Sequence, residues 1–272
     1  MEDWQRAYPE STEVVEYGKS FLGKPLRLVI TQKPGAYSFR PTLLMTGSTH
    51  GNEYLNIEDR LPLELLKKSQ DQASPVRKFL DRGGALIFVP IVNPDGYDSQ
   101  KRENARGVDL NRDWALPELG FRGFKENESR ALAEKLEAYF QSGLRYRVTV
   151  DYHCCMGAIL YPYSYQDSPL PKADALGHAV LSNLASKALG VKVGTTGKIL
   201  GYFPRGTTKD YYYLRYGAKA FTYEGRPNSE PRYLAQHVAW WESMLTRVLE
   251  ESPSPLVTWL PSKGSSHPKM AD

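Results

Sequence analysis

The sequence first offers chemistry at GSTHGNEYLNIE, residues 47–58, where His50 and Glu53 stand three positions apart. An imidazole and a carboxylate at that spacing, at the end of an apolar run, can converge on one cation such as Zn²⁺. Two donors do not make a catalytic site, so the chain must also supply a third donor, a base and a group that grips substrate. His153 closes RYRVTVDYH (145–153) and is the candidate third donor. Two imidazoles, one carboxylate and an open fourth position form the catalytic type of zinc site, not the structural type. A lone histidine at a strand end is more often a satisfied or solvated side chain, so the assignment rests on the trio.

Other polar residues gather after apolar runs. Asp109 can orient a ligand histidine from behind, or simply cap a turn. Glu224 follows AFTY, where a carboxylate is costly unless it faces a cleft or pairs with Arg226. Arg102, Arg106 and Arg112 share one polar stretch with Asn111. A guanidinium beside an amide suits a bidentate grip on a carboxylate; the plainer reading is a solvated basic loop.

The elements that must position these groups follow from periodicity. Apolar or alternating runs at 26–32, 42–48, 85–93, 145–153, 157–164 and 218–225 predict strands. Helical spacing covers 52–69, 126–142, 173–189, 209–217 and 231–251, with Pro62 kinking the first of these or delaying its start. Residues 1–25 read as polar and mixed, 33–41 as a turn, 94–114 as a long functional loop and 190–210 as irregular. The alternation of strands and helices predicts a single α/β domain around a mixed sheet, with polar groups at the strand ends.

Composition narrows the function. Thirty-five Lys and Arg against 31 Asp and Glu leave a net charge of +4, scattered and without a nucleic-acid-binding motif. No apolar segment reaches the ~18 residues of a membrane span, and no signal peptide opens the chain, so a cytoplasmic protein is expected. The two cysteines, Cys154 and Cys155, are adjacent and build no disulfide framework.

HGNE (50–53), NPDG (93–96), RENARGVDLNRDW (102–114), DYH (151–153) followed by YPYS (161–164), and FTYEGR (221–226) occur in one order. In that order and approximate spacing the chain resembles the zinc carboxypeptidase family over about residues 20–250. The R-x-N-x-x-GVDLNR form is most similar to the compact bacterial branch that includes murein-peptide amidases. The resemblance implies a mixed, mostly parallel sheet of about eight strands flanked by helices on both faces. Residues 1–251 would form the catalytic domain and 252–272 a tail, partly docked or flexible.

The resemblance also implies roles. His50, Glu53 and His153 would bind one Zn²⁺ per chain, with Asp109 supporting His50. Arg102 would polarise the scissile carbonyl, Asn111 and Arg112 would hold the substrate's terminal carboxylate, and Glu224 would be the general base. Tyr202 falls where the family carries a mobile capping tyrosine. Lys209, just before Asp210, lies where the specificity pocket is tuned, with Arg205 nearby. If Lys209 or Arg205 lines that pocket, the removed residue carries an acidic group, diaminopimelate included. The expected partner is a peptide with a free C-terminal carboxylate, with no nucleic acid and no membrane. One departure is Cys154–Cys155, where many relatives have Ser-Tyr; a thiol there could compete for the metal, oxidise or stay inert. The rival readings are an N-acyl amino acid hydrolase of the aspartoacylase and succinylglutamate desuccinylase type, and a non-catalytic binding relative.

Overall fold

A computed structural model describes residues 1–31, 39–226 and 230–251. Eight strands form one mixed sheet: β1 (Thr12–Lys19), β2 (Pro25–Thr31), β3 (Arg40–Gly47), β4 (Ala85–Val89), β5 (Leu144–Cys154), β6 (Ala158–Tyr161), β7 (Lys192–Thr195) and β8 (Lys219–Gly225). The helices among the described residues are α1 (Glu2–Ala7), α2 (Arg60–Lys68), α3 (Pro75–Asp81), α4 (Pro94–Ser99), α5 (Asn127–Gln141), α6 (Lys172–Leu189), α7 (Thr196–Leu200), α8 (Thr208–Tyr216) and α9 (Leu234–Glu251).

The sheet order is β1-β2-β4-β3-β5-β8-β6-β7. Its centre, β4-β3-β5-β8, is parallel throughout, and β1, β2 and β6 enter antiparallel. Central parallel strands are covered on both faces, which is why ALIFV in β4 is fully buried and apolar without alternation. Successive side chains point to opposite faces. Leu43 and Met45 of β3, Val148, Val150 and Tyr152 of β5, and Phe221 and Tyr223 of β8 join one core, with α2, α3, α6 and α9. Leu44, Ile87 and Ala220 join a second core on the other face, with α5 and the tyrosines of α8. Helices therefore flank both faces, as the resemblance implies.

Several details differ from the sequence reading. Residues 1–25 hold α1 and the edge strand β1, which shows no alternation because its register shifts at a bulge between Glu16 and Gly18. The helix expected over 52–69 begins only at Arg60, with Pro62 in its first turn, where a missing N–H costs nothing. The 94–114 loop contains α4 and a 3₁₀ turn, Leu110–Arg112. The stretch 190–210 contains β7 and α7. Helix α3, which the periodicity did not single out, is started by Ser74 accepting from the Val76 N–H with Pro75 at its first position. Of the turn expected at 33–41, residues 33–38 lie outside the described residues, as does the 252–272 tail, and Arg40 and Pro41 already belong to β3. No helix among the described residues is long and apolar enough to cross a membrane.

Candidate active site

Strands β3, β5 and β8 are parallel neighbours, so their C-terminal ends open on one side of the sheet. In open α/β sheets that edge is where ligands bind. His50 lies three residues past β3, His153 near the end of β5, and Glu224 near the end of β8, paired in register with His153.

The first two motifs are locked together. Asn93 Oδ1 accepts from Gly96 N–H at 2.9 Å and caps α4, with Pro94 at the helix start. This turn packs so tightly on the HGNE loop that a Cβ on Gly51 would run into the Gly96 backbone, and one on Gly96 into Asn93 and the Glu103 carbonyl. The glycines of HGNE and NPDG are thus required by close approach. Contact between the two turns brings Arg102 beside Glu53.

One donor atom from each of His50, Glu53 and His153 lies within 4.8 Å of the others. His50 Nδ1 is 2.9 Å from Glu53 Oε2 and 3.0 Å from His153 Nδ1, and His153 Nδ1 is 2.9 Å from Glu53 Oε2. Each imidazole gives its other nitrogen to a carboxylate: His50 Nε2 to Asp109 at 2.9 Å, His153 Nε2 to Asp151 at 2.8 Å. The carboxylates take the ring N–H, so two Nδ1 lone pairs and a carboxylate oxygen face one another and demand positive charge between them. Tetrahedral zinc with bonds of about 2.0–2.1 Å separates its donors by roughly 3.3 Å, within a few tenths of the distances here. The donor set fits a zinc ion.

The titrating groups respond to this crowding. Burial alone raises the Glu53 carboxyl, but hydrogen bonds from His153 and His50 outweigh it and hold it below the usual carboxylate range. Burial likewise opposes ionisation of Asp109, and His50, Arg102 and Arg112 overcome it. Glu224 goes the other way: burial, with Glu53 adding repulsion against the attraction of the imidazoles, raises its carboxyl. Among the described residues no hydrogen bond or ion pair occupies the Glu224 carboxylate. Arg226 is not its partner; that side chain reaches the Gly190 carbonyl at 3.3 Å and lies 3.8 Å from Glu230.

His50, Glu53 and Glu224 line one cleft of about 310 Å³ with Arg102, Asn111, Arg112, Cys154, Cys155, Tyr202 and Lys209. Arg102 donates to Glu53 at 2.9 Å and to Asp109 at 3.0 Å. Asn111 Oδ1 accepts from Thr208 N–H at 3.0 Å, which leaves its amide Nδ2 as the free donor. Arg112 stacks over the Tyr202 ring, with the Tyr202 hydroxyl 3.4 Å from Nη2.

Lys209 is the least obvious member. Only 1% exposed, it reaches the cleft floor and donates to Ser164 Oγ and Thr196 Oγ1, both at 2.7 Å. Burial pushes it down to about 8. An ammonium has three donors, and here two are used. Arg205 is exposed and outside the cleft lining. Arg106 also leaves the cluster its spacing suggests: it lies over Phe21 and 3.8 Å from Glu126. Asp210, expected from its place beside Lys209 to take part in substrate binding, is instead fully buried and accepts from Ser164 N–H at 3.0 Å, so it supports the floor from below. Cys154 and Cys155 stand side by side at the cleft wall, and Cys154 N–H donates to Glu53 Oε2 at 3.2 Å. Asp151, Ser164, Thr196 and Thr208 escaped the sequence reading. Asp151 alone left a signal there, an Asp two residues before the ligand histidine on a strand.

An α/β sheet with a His-Glu-His donor set gathered at its strand ends is a candidate metal-binding protein. The comparison with known sequences is narrower: the profile described as zinc carboxypeptidase, Peptidase M14, matches residues 1–247, and the chain belongs to that family. The inactive metallocarboxypeptidase ECM14 of Ajellomyces capsulatus (strain NAm1 / WU24) is 28% identical over 221 residues, 68% of this chain and 34% of that protein. The chain thus spans about a third of the length of that relative. Thrombin activatable fibrinolysis inhibitor shares the fold at a TM-score of 0.78 and 20% identity, over 92% of this chain and 72% of that one. Murein-tripeptide amidase MpaA from Escherichia coli O157 shares it at 0.52 and 22% identity, over 87% of this chain and 92% of that one.

Proposed function

We propose that this protein is a zinc-dependent carboxypeptidase that removes a C-terminal residue bearing an acidic side chain. One observation carries the reading: His50 and Glu53 of the converging trio, the unpartnered Glu224 carboxylate, the Asn111–Arg112 pair and the Lys209 ammonium all line one cleft, with His153 buried against the first two. His50, Glu53 and His153 would hold the zinc ion, which supplies Lewis acidity toward a water and the scissile carbonyl.

The chain's own residues do the rest. Glu224, raised by burial, takes the proton of the attacking water and delivers it to the leaving amine. Arg102 brings positive charge to the oxygen of the scissile carbonyl as that oxygen becomes negative. Arg112 and the free Asn111 amide grip the terminal carboxylate, which rewards a free C-terminus at a fixed distance from the bond to be cut. Tyr202, exposed and stacked with Arg112, covers the bound terminus. The remaining Lys209 N–H meets the carboxylate of the terminal side chain at the floor.

A second reading keeps the same chemistry on a cell-wall peptide ending in diaminopimelate, whose side chain also ends in a carboxylate for Lys209. The test is mass spectrometry of a mixed peptide, muropeptide and N-acyl amino acid library before and after incubation with zinc-loaded protein, with a chelated control. Loss of single acidic C-terminal residues supports the first reading, and loss of terminal diaminopimelate the second. Deacylation of free amino acids alone would overturn both, as would a zinc-loaded protein inert on the whole library.

A further inference from the structure

We infer that Asp151 is a positioning residue that fixes which nitrogen His153 presents to the metal and ties that ligand to the substrate-gripping start of α8. The inference rests on the reading of His50, Glu53 and His153 as a zinc site. Asp151 precedes His153 by two residues, so both side chains leave β5 on the same face. Its carboxylate is buried and engaged on every side. Oδ1 accepts from Thr46 at 2.7 Å and Thr49 at 3.1 Å, on β3 and just beyond it. Oδ2 accepts from His153 Nε2 at 2.8 Å and from Thr208 Oγ1, in α8, at 2.6 Å.

An ionised carboxylate offers about four lone-pair sites, and these four groups use them all. Two consequences follow. With Nε2–H committed to Asp151, His153 must turn the bare Nδ1 toward His50 and Glu53. The negative charge behind the ring also makes that Nδ1 a better donor. Thr208 carries the connection outward: its hydroxyl goes to Asp151, its backbone N–H goes to Asn111 Oδ1, and the next residue is Lys209. One buried carboxylate thus joins the metal ligand on β5 to the residues that grip the substrate's terminus. Asp109 does the equivalent for His50, but at a half-buried position and with Arg102 as its second partner.

The test is zinc affinity of the purified protein, measured by competition with a chromophoric chelator, alongside the melting temperature of the zinc-free protein. Asp151→Asn keeps the shape, and the three threonine hydroxyls can rotate to suit the amide. It should weaken zinc binding by about 10- to 100-fold while the zinc-free protein melts near the wild-type temperature. Unchanged zinc affinity in that variant overturns the inference and leaves the zinc site standing. A wild-type protein that takes up no zinc overturns both. If Asp151→Asn does not fold, Thr208→Val reads the same link, because it removes one anchor and keeps the charge. A several-fold loss of zinc affinity with a shifted visible spectrum of the cobalt-substituted protein supports the inference; no change in either overturns it.

Discussion

His153 and Glu224 are register partners on the adjacent parallel strands β5 and β8. One strand end therefore carries a candidate metal donor and the other a carboxylate that makes no hydrogen bond or ion pair among the described residues. Their separation is set by the sheet, the stiffest part of the fold, and does not depend on loop conformation. In the proposed role of general base, Glu224 would keep its orientation without help from a loop.

This pairing makes Glu224→Gln the sharpest probe of the base. The amide matches the carboxylate in shape but cannot accept the proton, so turnover should fall by at least about 100-fold. Zinc content should stay at the wild-type level, because Glu224 is not one of the converging donors. Elemental analysis with peptide hydrolysis on the same sample checks both, and near-normal turnover would falsify the assignment.

Chelation should abolish hydrolysis, and zinc should restore it. Removing the cation takes away the bonds that join two ring nitrogens and a carboxylate oxygen held 2.9–3.0 Å apart, so the melting temperature should also drop. Adding excess zinc should raise it again in a concentration-dependent way. A thermal shift series over zinc concentration reads this without any substrate.

Lys209→Met is expected to change which residue is removed and leave the fold intact. Methionine fills a similar volume, and Ser164 and Thr196 already lie within 3.2 Å of each other. Discrimination for acidic over apolar terminal residues should fall by about 10- to 100-fold in kcat/KM. The same lysine predicts a pH effect in the wild-type protein. It is pushed down to about 8 by burial, so its charge is present below that pH and fades above it. KM for acidic termini should rise as pH passes 8, while KM for apolar termini does not. Parallel pH profiles for the two substrates would show that Lys209 does not meet the side chain.

Glu58 predicts a stability effect away from the cleft. It is buried behind the HGNE loop, accepting from Leu55 N–H and Ile57 N–H at 3.0 Å, and burial pushes it up to about 8. A carboxyl raised in the folded state stabilises it fully below the unfolded value near 4.5, and that stabilisation is lost as pH rises toward 8. The unfolding free energy should therefore fall across this window by an amount on the order of a few kcal/mol, read as a falling denaturant midpoint. In Glu58→Gln the slope should flatten, since one amide oxygen can replace Oε2 for both N–H groups.

Much of this site was legible in the sequence, because strands announce themselves locally. A buried parallel strand is an unbroken apolar run, and its end is marked where polarity returns. His50, His153 and Glu224 could thus be placed at strand ends before any contact was known. The HGNE and NPDG turns carried their own punctuation in Asn, Pro and Gly. The less regular pieces were harder. Strand β1 breaks its alternation at a bulge between Glu16 and Gly18, and α7 is too short to show a period.

What the tertiary structure decided was direction. Spacing grouped Arg106 with Arg102 and Arg112, yet packing turns it toward Phe21 and Glu126. Lys209 and Asp210 are neighbours, and only the seating of α8 against Ser164 and Thr196 sends the first into the cleft and the second beneath it. Asp151 reads as one more polar residue in a strand until Thr46, Thr49 and Thr208 arrive from elements far away in the chain. Backbone periodicity is a local property that a sequence carries by itself. The direction and partners of a polar side chain depend on segments distant in sequence, and only the closed fold brings those together.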